Sequence, residues 1–332
     1  MELLQKLTAC ICPSGRENSV RSIIENELKE VCDEIYTDTL GNLICHKKGS
    51  GKKLMLAAHM DEIGFMVNYI DKNGFARFST IGGVQKYNSI NSSVEFENGT
   101  CGKISYENKE NPSTASFDKM YMDIGASSKE EAEQKIQIGD MAAYASSFSL
   151  IGNRIMSKAL DDRAGCWALI MAMKQAESSE NDIYAVFTAQ EEVGLRGAKT
   201  AATLIKPDMA ISVDVSNVGD TPQSEELNLS LGKGPAIKMK DASFIIHENV
   251  KNLLLDCAKK ANIPYQMEAA SYGGTDAGAI HLSGGGVRSG TISIPTRYIH
   301  SAGEVIDKTD LENTCELLKI IIKINIVEYL SF

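Results

Sequence analysis

No run of eighteen apolar residues occurs in the 332-residue chain, so no segment reads as a membrane span and no membrane partner is expected. Positive charge is not in excess: 34 Lys and Arg face 44 Asp and Glu, a formal net charge of −10 at pH 7. A nucleic-acid binder needs a basic face to displace the counterions of a phosphate backbone, so no nucleic-acid partner is expected either. The opening Met1-Glu2-Leu3-Leu4-Gln5-Lys6 lacks the basic start and apolar stretch of a secretory signal, which points to a cytoplasmic protein. Cysteine is present but unpatterned. Cys10, Cys12, Cys32, Cys45, Cys101, Cys166, Cys257 and Cys315 form no CxxC pair and no zinc-finger spacing, so reduced thiols are expected. Internal repeats and low-complexity tracts are missing too, and a composition of 43% hydrophobic and 23% charged residues excludes general disorder.

What is there has a clear order. At roughly 150 residues per domain the length predicts two domains. Ser19, Val20, Ile23, Ile24, Leu28 and Val31 recur at helical spacing, and Leu40-Gly41-Asn42 is a turn signal. Residues 52–58 form a short apolar run that reads as a buried strand. From 67 to 151 short segments such as 66–70, 75–81, 94–96 and 141–144 alternate with Gly, Asn, Asp and Ser turns, interrupted by an acidic, helix-prone stretch at 127–135. After Gly152 helical and strand patterns alternate: helices over 162–176, 250–261 and 311–327, strands over 184–189, 209–213 and 291–294. That alternation predicts an α/β fold with a mostly parallel sheet. The division expected is residues 1–66 with 152–332 as an α/β catalytic domain, and 67–151 as a small β-rich insertion.

The chemistry gathers where the strands stop. The run 54–58 leads into His59-Met60-Asp61, the run 184–189 into Gln190-Glu191-Glu192, and 209–213 into Asp214; 291–294 leads through Pro295-Thr296-Arg297-Tyr298-Ile299 to His300. Ligands of open α/β sheets bind outside the carboxyl ends of the strands, so imidazoles and carboxylates are being delivered to one rim. Asp61 stands two residues from His59, where a carboxylate accepts the second ring N–H of a metal-bound histidine. One of Asp161-Asp162 is expected to do no more than cap a helix. Two adjacent acids, Glu191-Glu192, and an acid inside an apolar run, Asp214, need a counter-charge. With no thiolate in the set, the donors suit zinc, cobalt or manganese. His59, Asp161, Asp214, Glu192 and His300 are too many for one open catalytic zinc and fit two ions sharing a carboxylate. Glu191 is then left over as general base.

Six ordered motifs carry a resemblance: 59–65 (HMDEIGF), 158–163 (KALDDR), 190–198 (QEEVGLRGA), 213–215 (VDV), 274–277 (GTDA) and 295–301 (PTRYIHS). Together they resemble the M42 family of metallo-aminopeptidases, the group that includes the tetrahedral and glutamyl aminopeptidases. The likeness runs over nearly the whole chain and takes in 122–128 (MDIGASS) and 138–140 (IGD) in the insertion. It implies a zinc-exopeptidase-like catalytic domain, a PDZ-like inserted domain used for dimerisation, and further assembly into a hollow dodecamer. By the same resemblance, His59 and Asp214 hold one metal and Glu192 and His300 a second, with Asp161 bridging. Glu191 is the base, Asp61 orients His59, and the metals are zinc or cobalt, with manganese or magnesium as alternatives. The substrates are peptides cut at the N-terminal residue. One departure stands out: His300-Ser301 is followed by Ala302-Gly303, where the family usually carries a proline.

Two other readings compete. A glycosidase would use Glu191 and Glu192 as acid and nucleophile, would leave both histidines idle and would ignore a chelator. A scaffold that kept the assembly and lost the chemistry would bind no metal. Side-chain selectivity is expected from walls near 271–277 and 283–288; Arg288 is the one local candidate cation for an acidic side chain, but it reads first as a surface arginine.

Overall fold

The computed structural model describes residues 1–107, 116–176, 178–224 and 228–331; part of the expected insertion, 108–115, lies outside them. The chain begins a large sheet with β1 (Glu34–Thr37), β2 (Leu43–Lys47) and β3 (Lys53–His59). It leaves that sheet for β4 (Gly64–Ile70), β5 (Ala76–Ile81), β6 (Ser93–Phe96), β7 (Cys101–Tyr106), β8 (Met120–Asp123) and β9 (Met141–Tyr144). It returns as β10 (Ser149–Ile151), β11 (Arg154–Ser157), β12 (Asp182–Thr188), β13 (Met209–Asn217), β14 (Ala236–Lys240), β15 (Gln266–Ala269), β16 (Arg288–Arg297) and β17 (Glu304–Asp307).

The large sheet runs β1-β2-β12-β3-β13-β16-β17-β11-β10, with β14 joined to β16 and β15 to β14. Side chains alternate across a strand, and β3 shows both faces covered. Leu54, Leu56 and Ala58 join one core with helices Leu160–Gln175 and Lys308–Lys323, while Met55 and Ala57 join a second with helix Arg196–Ile205. A strand buried on both faces reads as a continuous apolar run, which is why residues 54–58 look as they do in sequence. Among the described residues no helix is long and apolar enough to cross a membrane.

The expectation of a mostly parallel sheet is corrected. Parallel pairing is confined to the central β12-β3-β13-β16 and to β14-β15, four pairings against six antiparallel ones. The antiparallel members are mostly short edge strands added by tight turns, such as Asp38–Asn42 between β1 and β2. Such strands carry too few residues to show their direction in a hydropathy pattern.

Strands β4 to β9 close into a six-stranded barrel in the order β4-β5-β8-β7-β6-β9, and every pairing in it is antiparallel. Closure leaves no open edge. Its core holds Phe65 with Phe78 and Tyr144 edge-on at 5.2 and 5.3 Å. The strand pairings shift the expected boundaries. The barrel's first strand starts at Gly64 rather than after 66, and Ser149–Ile151 pairs with β11 in the large sheet rather than belonging to the insertion. Gly64 marks the crossing because a Cβ there would lie 2.6 Å from the Ala142 carbonyl oxygen and 3.0 Å from Pro13.

Candidate active site

Because β12, β3, β13 and β16 run parallel, their carboxyl ends fall on one edge of the sheet. Thr188, the last residue of β12, is level with His59, the last of β3, and Asp214 is level with Ser293 of β16. Beyond these ends the chain supplies Glu191 and Glu192 from the β12 loop and His300 from the β16 loop. The candidate metal ligands and Glu191 meet at this edge.

They meet as two groups that share one residue. In the first, His59 Nε2 lies 3.0 Å from Asp161 Oδ1 and 4.0 Å from Asp214 Oδ1. In the second, His300 Nε2 lies 3.3 Å from Asp161 Oδ2 and 3.2 Å from Glu192 Oε2. Within each group the candidate donor atoms lie within 4.8 Å of one another. Asp161 therefore turns one carboxylate oxygen to each histidine. Both rings are set the same way. His59 Nδ1 is 3.1 Å from the Asp61 carbonyl oxygen and His300 Nδ1 is 3.0 Å from that of Gly83. A carbonyl only accepts, so each Nδ1 carries a proton and each Nε2 faces the acids.

The donor set fits a divalent cation. Glu192 Oε1 is buried without a hydrogen-bond partner among the described residues. The cations that flank Asp161 in sequence are already engaged: Lys158 donates to both oxygens of Glu62 at 2.9 and 2.7 Å, and Arg163 Nη2 lies 3.7 Å from Glu62 Oε1. Removal from water raises the Asp214 and Glu191 carboxyls well above their ordinary range. Asp161 adds repulsion at the first, Asp214 and Glu192 at the second. Burial works against a charged His300 ring, yet Asp161 and Glu192 push it up to about 12. A crowd of acids that recruits protons and imidazolium in this way is a site built for a positive ion. Oxygen and imidazole donors without thiolate match zinc, cobalt or manganese; the Cys166 thiol is turned to the His59 carbonyl at 3.1 Å.

Around the two groups stand residues that lock them. The Asp61 carboxylate was expected to accept from His59, but its Oδ1 is 3.5 Å from Nδ1, farther than the Asp61 carbonyl. It accepts instead from Ser14 Oγ at 2.6 Å and from the backbone N–H of Glu191 and Glu192 at 3.0 and 3.2 Å. Asp162 takes the capping role left open for one of the pair, accepting from Gly165 N at 3.0 Å and from His59 N at 3.2 Å. The Asp161–Asp162 peptide is cis.

Three partners went unseen in the sequence. Glu304, 2% exposed, accepts from the backbone N–H of Asp161 at 2.9 Å and of His300 at 3.0 Å. Burial, with Asp161 beside it, raises its carboxyl to about 8. Gly83, in the loop after β5, approaches the His300 ring so closely that a Cβ would lie 2.7 Å from Cε1 and Nδ1. Asn88 donates its Nδ2–H to the His300 carbonyl at 3.1 Å. No sequence signal links residues this far apart; for Glu304 the only hint is an acid four residues after His300. These contacts fix His300 on both its backbone and its ring.

The groups open into a cavity of about 460 Å³ lined also by Leu195, Ser216, Lys238, Glu268, Tyr272 and Thr275. Of the two expected walls, 271–277 contributes Tyr272 to Thr275, whereas 283–288 does not reach the cavity. Arg288 does not line the cavity, in line with the reading of it as a surface arginine: its Nη2 donates to the Leu330 carbonyl at 3.1 Å, and among the described residues Lys238 is the Lys or Arg that faces the cavity.

A mixed sheet whose parallel centre delivers acids and imidazoles to one edge, with a barrel pressed against that edge, has the donor set of a metal-dependent hydrolase. The sequence profile of the M42 glutamyl aminopeptidases matches residues 41–317. A putative aminopeptidase of Acetivibrio thermocellus is 52% identical over 318 residues, 96% of this chain and 96% of that one. Among solved structures, an aminopeptidase of the archaeon Desulfurococcus kamchatkensis is 40% identical with a TM-score of 0.96, covering 99% of this chain and 96% of that chain. The TET1 peptidase of Pyrococcus horikoshii, which can assemble into a tetrahedron or a large octahedral shell, is 32% identical with a TM-score of 0.88 over 97% and 98%. The chain belongs to the M42 peptidase family and is a peptide-bond hydrolase, which settles the choice against the glycosidase reading.

Proposed function

We propose that the chain removes N-terminal residues from peptides at a centre of two divalent ions. His59 and Asp214 would hold one and Glu192 and His300 the other, with Asp161 offering a carboxylate oxygen to each. The observation that carries this is the division of Asp161, with Oδ1 toward His59 and Oδ2 toward His300. Zinc or cobalt suits the donors, with manganese or magnesium as alternatives. Bound there, the ions supply Lewis acidity and bring the pKa of solvent water toward neutrality. The protein does the rest. Glu191 takes a proton from the attacking water, holds it on a carboxyl whose burial favours the protonated form, and passes it to the departing amine. Asp61, bonded to the Glu191 N–H, fixes where that carboxyl stands.

The same reading takes the barrel, β4 to β9, as the core of a PDZ-like insertion through which two copies pair, in an assembly that grows to a dodecamer. It is supported by the shells of the Pyrococcus horikoshii relative and by exposed Tyr69 and Ile138 on the barrel side of the molecule. Glu191→Gln is the test of the chemistry. Metal content, measured by mass spectrometry, should stay at the wild-type level while turnover of an aminoacyl-p-nitroanilide falls about 10²- to 10⁴-fold. Turnover that survives puts the base elsewhere. Metal-stripped wild type should be inactive and regain activity with zinc, cobalt, manganese or magnesium.

A further inference from the structure

One wall of the cavity carries an ion pair that the proposed reaction does not use. Lys238 on β14 and Glu268 on β15 face each other directly in the parallel pairing, with Nζ 2.6 Å from Oε1. Both are buried, 4% and 8% exposed, yet both line the cavity. Glu268 has its oxygens taken: Oε1 also accepts from Ser216 Oγ at 2.5 Å, and Oε2 accepts from Ser293 Oγ at 2.8 Å. Lys238 donates to Ser216 Oγ at 2.8 Å as well. Ser216 lies two residues beyond Asp214 on β13, so the two side chains share a face and the pair sits one strand step from the His59 group. Among the described residues lining the cavity Lys238 is the only Lys or Arg, and the remaining acids are Glu191 and members of the two groups.

We propose that this pair makes the pocket select uncharged N-terminal residues. The inference rests on the aminopeptidase reading and adds its substrate class. With the terminal amine and the scissile carbonyl over the two groups, the side chain of the terminal residue is directed at the wall one strand step away. An acidic side chain arriving there loses its hydration and meets a lysine already neutralised by Glu268. A basic side chain meets a glutamate already neutralised by Lys238. Neither recovers the cost of leaving water. An uncharged side chain has little to lose. Selectivity then comes from mutual cancellation, and removing one partner should reveal the preference of the other.

The experiment compares kcat/KM of the metal-loaded enzyme on Leu, Gln, Glu and Lys p-nitroanilides, which share one leaving group. Wild type should favour Leu and Gln over Glu and Lys by about tenfold or more. Glu268→Gln should raise the Glu-to-Leu ratio about tenfold, and Lys238→Met should raise the Lys-to-Leu ratio by a similar factor. The double variant Lys238→Met/Glu268→Gln leaves no buried charge unpaired and should restore the wild-type order, which guards against a single variant that folds poorly. Equal scaling of all four substrates in both single variants overturns the proposal, as does a wild type fastest on Glu or Lys. A metal-loaded wild type that cleaves none of the four overturns the aminopeptidase reading and this inference with it.

Discussion

His59 ends a strand packed on both faces, and its side chain is 2% exposed; His300 lies in the loop past β16, with φ of 63° and a side chain 24% exposed. The first is placed by the sheet itself, through Leu54, Leu56 and Ala58 beneath it. The second is placed by hydrogen bonds from two directions. Glu304 on β17 holds its N–H, while Gly83 and Asn88 of the barrel region hold its ring and its carbonyl. One imidazole is therefore built into the core, and the other depends on two parts of the chain coming together. Two carboxylates mirror the contrast. Asp61 ties the backbone of Glu191 and Glu192 to the His59 side, and Glu304 ties Asp161 to His300.

The strongest way to break this contrast is to remove each ring. His59→Ala and His300→Ala should both abolish measurable turnover, since each removes a proposed ligand of one of the two ions. Their stabilities should differ. His59→Ala leaves buried acids without their partner, at about 1–3 kcal/mol; at roughly 2–4 °C per kcal/mol that lowers Tm by several degrees. His300→Ala also strips Asp161 and Glu192 of a partner, but at a side chain 24% exposed, where water takes up part of the loss, and should lower Tm by a smaller amount. Equal losses in thermal unfolding would show that the two rings are embedded alike.

Glu304→Gln is a finer cut. Both Glu304 oxygens accept from backbone N–H groups, and an amide offers one acceptor and one donor, so one N–H would face another. Loss of a residue that orients a ligand typically costs 10- to 100-fold in metal affinity or activity, and about that loss is expected here. It should appear first in the metal held by Glu192 and His300. Metal stoichiometry across a chelator titration reads this directly. Parallel loss of both ions would mean that Glu304 supports Asp161 alone.

The contrast also explains what the sequence let a reader see. His59, Glu191, Glu192 and Asp214 follow strands buried on both faces, and such strands announce themselves as apolar runs with acids at their ends. His300 belongs to a loop, so it is a weak signal by itself and counts only together with the acids and the imidazole at the other strand ends. Glu304 was passed over because β17 spans only four residues, too short for a pattern. Lys238 and Glu268 sit on β14 and β15, short strands carrying charge inward, against the rule by which strands are read. The partnership of Gly83 and Asn88 with His300 spans more than 200 residues of sequence. Only closure of the barrel against the sheet edge brings it about.

That partnership gives the smallest predicted effect. Asn88 is half-buried and donates one neutral hydrogen bond to the His300 carbonyl, with water able to take its place. Such a bond is worth about 0.5–1.5 kcal/mol, so Asn88→Ala should lower kcat roughly two- to tenfold and leave Tm unchanged. The loss belongs in kcat because the bond fixes the backbone of a metal ligand and touches no substrate. If kcat holds at the wild-type value, the barrel grips His300 through the Gly83 carbonyl alone, and the ring rather than its backbone is what the barrel controls. If kcat falls while metal content holds, the barrel is part of the active site, because a residue 212 positions away in sequence then sets the angle at which His300 meets its ion.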